Sequence, residues 1–227
     1  QEDPIYCQGL PGALVTLSQA GNPTDTLTGT IVTGPDGFFA FPIADTATYW
    51  LRVEKPGHVY NQREAEIVRG HATPVNEIYM MPLDDNHVFC DAAGCDVTSS
   101  DGMMRLQIPP DAISGTDTVD VTATFLDQVQ YLPSGELPEG TWETYAFNLG
   151  GDSEYEFTSP ITVWVKNTLA FPVGTVIPAG YWNPDIMAWE HYGTAEVVGD
   201  GDWVLFHTKH FSNCDLNFPY ASPDPGL

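Results

Sequence analysis

Positive charge is scarce in this chain: 7 Lys and Arg stand against 31 Asp and Glu, a formal net charge of −24. Such a surface repels nucleic acid and anionic membranes by Coulomb force, so neither is expected as a partner. A solvated acidic surface of this kind suits a secreted protein or one exposed to salt. Long apolar runs are missing too. No stretch of about 18 apolar residues occurs, which predicts no membrane-spanning helix. Nor does a basic segment lead into an apolar core, and the polar start at Gln1 reads as that of a processed or excised chain. Helical periodicity is nearly absent, while 21 Gly and 19 Pro interrupt the chain every few residues. There is no Gly-x-Ser-x-Gly elbow, so hydrolase chemistry of that type has no support.

Cysteine is sparse but even in number: Cys7, Cys90, Cys95 and Cys214. An even count fits an oxidising compartment, and three pairings are open. The Cys90 to Cys95 spacing is too wide for a CxxC redox pair, and zinc-finger spacing is lacking. Four intervening residues that include Gly94 bring two Cβ atoms within bonding distance, which predicts a Cys90–Cys95 disulfide and leaves Cys7 to pair with Cys214.

What is present is alternation. Ala13–Leu17, Thr28–Thr33, Phe38–Phe41, Tyr49–Val53 and Glu77–Met81 read as strands in the first part of the chain. In the second part, Met103–Ile108, Thr118–Phe125, Tyr145–Leu149, Ile161–Val165, Val176–Trp182, Trp189–Tyr192 and Trp203–Thr208 read the same way. Gly34-Pro35-Asp36-Gly37 and Lys55-Pro56-Gly57-His58 are tight connections, because Pro presets one turn dihedral and Gly accepts positive φ. Asp84-Asp85-Asn86-His87 is a polar break after Pro82. The expected fold is therefore all-β, with two β-sandwich domains over residues 1–83 and 84–227.

The first part carries a resemblance. Gly12 to Leu17, Gly34 to Phe41, Tyr49 to Val53 and Lys55-Pro56-Gly57-His58 resemble the carboxypeptidase regulatory-like family of transthyretin-type sandwiches. That resemblance implies a seven-strand spacer or docking module without catalysis. Some relatives of that fold bind glycans, which Tyr49, Trp50 or Tyr60 would do by stacking; the same rings are also suited to filling an inter-sheet core. In the second part, Pro109-Pro110-Asp111-Ala112-Ile113 is similar to a turn of ZU5-type sandwiches, with Asp111 where those usually have a small residue. Phe171 to Trp182, Trp189, and His210-Phe211-Ser212 through Pro219 resemble the segment before the shell in bacterial RHS/YD-repeat proteins, relatives of teneurins. Cys214 departs from that pattern, where an aromatic residue is expected. The chain stops at Leu227, ahead of any YD repeat, so toxin encapsulation is not expected of it alone.

Two sets of residues carry candidate chemistry. His210-Phe211-Ser212 is the sequence at which some ZU5-like domains cut themselves. There Ser212 would attack the Phe211 carbonyl, with His210 as the base and backbone strain lowering the barrier. In relatives that do not cut, the Phe is a plug for the core, and that is the outcome expected here. Asp91, Asp96 and Asp101 crowd the Cys90–Cys95 loop as an alternative calcium site, although their spacing is not that of an EF-hand. His207 and His210 are three apart, which on a strand sends them to opposite faces and argues against a two-histidine metal site. Trp164, on the outer face of its strand, is expected to meet a neighbouring domain.

The function expected is that of a non-catalytic extracellular structural or interaction module of a secreted or cell-surface protein. Its partners would be other domains or subunits of a larger surface assembly, and it would need no cofactor. The alternatives are a self-cleaving domain cutting between Phe211 and Ser212, and a glycan- or calcium-binding adhesion module or filament subunit.

Overall fold

Short alternating strands each need a cover for one face, and three clusters of buried side chains supply it here. The computed structural model describes residues 9–20, 26–42, 45–115, 117–134, 140–150 and 155–219. Among these residues there are 15 strands and a 3-10 turn at Val129–Tyr131, with no α-helix. The protein is all-β, as its alternation predicts.

The first four strands are β1 (Leu14–Gln19), β2 (Thr26–Val32), β3 (Ala47–Glu54) and β4 (Asn61–Ile67). They form an antiparallel sheet in the order β2-β1-β3-β4. Val15, Leu17, Tyr49, Leu51 and Val53 build its core. Two segments expected as strands, Phe38–Phe41 and Glu77–Met81, are irregular instead. Phe39, Phe41, Ile78 and Met80 pack against the core without joining a ladder, so their apolar spacing reflects burial and not pairing. The cover of this sheet is thus irregular chain, where the resemblance implied further strands. β4, by contrast, is a strand that polar Asn-Gln-Arg-Glu-Ala-Glu-Ile conceals, because Ala65 is its only residue in the core cluster.

The remaining strands are β5 (Val88–Cys90), β6 (Cys95–Thr98), β7 (Met104–Ile108), β8 (Val119–Val121), β9 (Ala123–Leu126), β10 (Thr141–Leu149), β11 (Glu156–Lys166), β12 (Val176–Asn183), β13 (Ala188–Val198), β14 (Trp203–His210) and β15 (Asn213–Pro219). Nine of them make one antiparallel sheet in the order β6-β7-β11-β14-β13-β12-β15-β10-β9, and β5 pairs with β8. The large sheet curls until it is nearly closed, like a barrel, which agrees with a β-sandwich architecture. Leu106, Phe147, Val163, Phe206 and Leu216 fill its interior. Cys90 and Cys95 form a disulfide with Cα atoms 5.7 Å apart, which ties β5 to β6. Asp111, in the turn at 109–113, has φ of 62°. Asp tolerates that left-handed conformation better than most side chains. Its amide donates to the Ala92 carbonyl, and its own carbonyl accepts the Thr158 hydroxyl.

Between the two sheets runs a seam. Val59 and Leu83 meet Leu126, Leu132 and Ala146 of the large sheet and its connections. The Gln62 amide N–H donates to Pro133 O at 2.7 Å, its side-chain Oε1 accepts Trp182 Nε1–H at 2.6 Å, and Asn61 Nδ2 donates to Leu132 O at 3.0 Å. The expected break at residues 84–87 is fastened as well: the Asp84 carboxylate accepts from the Ser100 amide and hydroxyl.

Candidate functional site

The residues that sequence reasoning singled out at 210–212 occupy the junction of β14 and β15. Val204, Phe206 and Thr208 point inward along β14, and the exposed His207 stands on the other face from His210. The chain leaves the strand at Phe211. Its ring is 5% exposed and stands edge-on to Phe157, with centroids 4.9 Å apart. Gly150 (φ 83°) makes room for it, since a Cβ there would fall on the Phe211 ring. The Phe211 amide donates to Tyr155 O, and Ser212 O accepts the Leu149 amide, both at 3.0 Å.

Chemistry by an acyl shift would need His210 on the Ser212 hydroxyl. The structure instead places Ser212 Oγ 3.2 Å from Cys214 Sγ. The His210 ring lies against Tyr181 and Tyr192, each with centroids 4.8 Å away. Burial holds the His210 pKa below its ordinary value, opposed by a hydrogen bond to the Phe211 backbone and by the Glu156 carboxylate. Beside it, Tyr181 donates to Glu190, which raises the phenol's pKa and lowers that of the carboxyl. Phe211 and Ser212 do not have positive φ. Phe211 thus fills the core at the end of β14.

Cys214 is a free thiol, 1% exposed. It has no bridging partner among the described residues, and Cys7, with which it was expected to pair, lies outside them. Cys214 alternates inward on β15, beside Leu216, and belongs to the barrel core. Burial pushes its pKa up to about 12. Thiolates, not thiols, react with alkylating agents. Cys214 is thus expected to stay unmodified by iodoacetamide at pH 8 in the native protein and to react fully in denaturant, as read by peptide mass mapping.

The opposite face of β15 went unrecognised in the sequence. Asn213, Asp215 and Asn217 alternate with the core residues, yet they are 0%, 2% and 5% exposed. Ala146, the register partner of Asp215 on β10, belongs to the seam cluster. The polar row therefore faces the side on which the first sheet packs. Asn217 Nδ2 donates to the Asp215 carboxylate and its Oδ1 accepts the Thr144 amide. Asn148 Nδ2 donates to Asn213 Oδ1 at 3.0 Å. On β12, Gly180 stands opposite Asp215, and a Cβ there would fall on the carboxylate. Desolvation raises the Asp215 pKa to about 7, against hydrogen bonds from Asn217 and the backbone amides of Asp215 and Gly180. The strict two-residue polar and apolar alternation of 213–218 was the available signal, but it reads equally well as a solvent-facing strand.

The other candidates do not assemble. Asp91 and Asp101 accept nearby loop groups, the Ala93 amide in one case and the Met103 amide and Ser99 hydroxyl in the other, while Asp96 is exposed on β6. Among the described residues no group of three His, Cys, Asp or Glu side chains is placed to hold a metal ion. Tyr49 and Trp50 are 3% and 9% exposed, so they serve packing and not glycan stacking; the Arg52 guanidinium covers the Tyr60 ring at 4.4 Å. Trp164 lies half-buried in a shallow depression of about 410 Å³ with Arg105 and Trp203. No family model matches the chain, and no curated protein matches it in sequence.

Proposed function

We propose that this chain is a non-catalytic structural and interaction module of a secreted or cell-surface protein, in which two β units are held as one stiff body. The observation that carries this reading is the seam. Gln62, 5% exposed, spends its amide N–H and side chain on Pro133, Pro184 and Trp182, while Asn61 binds Leu132. Hydrogen bonds of this kind fix orientation as well as adding stability, because a buried polar group must keep its partner. In this reading the units are the expected spans 1–83 and 84–227. The likenesses to carboxypeptidase regulatory-like and ZU5-type or RHS/YD-repeat modules point the same way, toward spacers within larger surface proteins. The Cys90–Cys95 disulfide supports an oxidising compartment.

A stiff module unfolds as one unit. Calorimetry of the intact chain is expected to show a single transition, and Gln62→Ala to lower stability by about 1–3 kcal/mol by leaving Trp182 Nε1–H unpaired in a buried seam. Two independent transitions in the unmodified chain would overturn the reading.

A further inference from the structure

Among the described residues β4 pairs with β3 and leaves its other edge without a strand. In an antiparallel ladder alternate residues turn both N–H and C=O to the same side. Gln62 donates away from β3, to Pro133, so Gln62, Glu64 and Glu66 form the outward set. The Gln62 amide is occupied, and Glu66 O accepts the Thr73 hydroxyl at 3.3 Å. Glu64 lies between them and turns both backbone groups toward an open cleft of about 670 Å³. The segment 73–77 also lines that cleft, and Trp182 and Met187 supply apolar surface. Glu64, Glu66 and Glu77 line it and are exposed. Arg63 also lines it, but its guanidinium is committed to Asn61 Oδ1 and to the carbonyls of Gln62 and Pro133.

We propose that this cleft docks an extended cationic segment of a partner protein, which pairs with the β4 edge through the two backbone groups of Glu64 and sets alternate Lys or Arg side chains against Glu64 and Glu66. The inference rests on the interaction-module reading above and names the partner's chemistry. Main-chain hydrogen bonds at an exposed edge supply affinity, and alternate side chains supply selection. The two glutamates are two residues apart on one strand and so share a face, the same repeat at which a partner strand presents its own side chains. A second copy of this chain does not fit the slot. Two β4 edges would set Glu64 and Glu66 against their counterparts, and two bodies of charge −24 repel one another.

The test titrates the full chain with a short synthetic peptide alternating Lys and Val, following the Glu64 backbone amide by NMR. Saturable binding with a shift of that amide is expected. The double variant Glu64→Lys, Glu66→Lys, checked for native melting, is expected to bind at least about tenfold more weakly. A peptide of the same charge with alternate backbone nitrogens methylated is expected to lose binding to the unmodified protein. Absence of saturable binding overturns the proposal. Equal binding of the methylated peptide, or of a Glu-for-Lys peptide, overturns it too, because diffuse attraction or mere apolar contact would then suffice. None of these failures changes the calorimetric result expected for the stiff module, so the two readings fall separately.

Discussion

Replacing Phe211 by Ala is expected to cost about 3–5 kcal/mol of stability, the range for truncating a buried aromatic ring. The ring is enclosed by Phe157 and by the hollow over Gly150, and its amide is held by Tyr155, so the gap cannot close by a simple shift of one neighbour. Denaturant unfolding monitored by tryptophan fluorescence measures the loss. A cost below about 1 kcal/mol would mean that the ring does not plug the barrel. The same plug predicts an intact backbone. Reduced and denatured, the purified chain is expected to show its uncut mass after prolonged incubation near neutral pH. A fragment beginning at Ser212, abolished by Ser212→Ala, would instead establish self-cleavage.

Asp215→Asn is expected to stabilise the protein at pH 8 by up to about 4 kcal/mol, which is three pKa units of linkage. The sign follows from proton counts. The folded-state pKa of Asp215 is raised to about 7, while an unfolded Asp titrates near 3.9. Between those values the native state binds more protons than the unfolded state, so stability falls as pH rises from about 4 through about 7 and stays low above it. An amide keeps the shape without the charge, and its single oxygen keeps one acceptor position of the two that the carboxylate offers to Asn217 and Gly180. Thermal melts from pH 4 to pH 8 are expected to show the variant gaining on the parent only as pH rises, reaching roughly 10 °C. The lowered pKa of His210 acts in the opposite sense, with its contribution to stability lost as pH falls through and below the ordinary histidine value, and it remains in both proteins. A constant difference between variant and parent across that range would show that Asp215 is not desolvated as described.

Much of the strand pattern was legible because one buried face imposes a two-residue period on any sequence that forms it. Ile161, Val163 and Val165 announce their core face, and Trp203–Thr208 announces β14, whatever surrounds them. The short Cys90–Cys95 loop was legible for a similar reason, since only local chain geometry decides whether two sulfurs can meet. Phe38–Phe41 carries the same pattern and yet is no strand, because pairing depends on a neighbouring edge that the segment itself does not contain. β4 hid for the converse reason: its ladder is made by β3, while its side chains are mostly polar.

Cys214 shows where local reading stops. The cysteine count says nothing of where Cys214 sits: its position on β15 turns it into the barrel beside Leu216, where desolvation raises the pKa of the thiol. The aspartates of the Cys90–Cys95 loop likewise look like a ligand set when read along the chain, and in space Asp91 and Asp101 are turn acceptors for amides two residues on.

By itself, then, the sequence determined the all-β class, the acidic character and the local ring of the first disulfide, because composition, period and short-range geometry belong to the chain alone. Tertiary structure decided what covers each face. It put Asn213, Asp215 and Asn217 on the seam side of β15 instead of in water, set Gly180 beneath a carboxylate, and, among the described residues, left the β4 edge open beside Glu64. Those outcomes depend on segments more than a hundred residues apart meeting, as Gln62 and Trp182 do, and burial of a polar side chain is a property of that meeting and not of the residue.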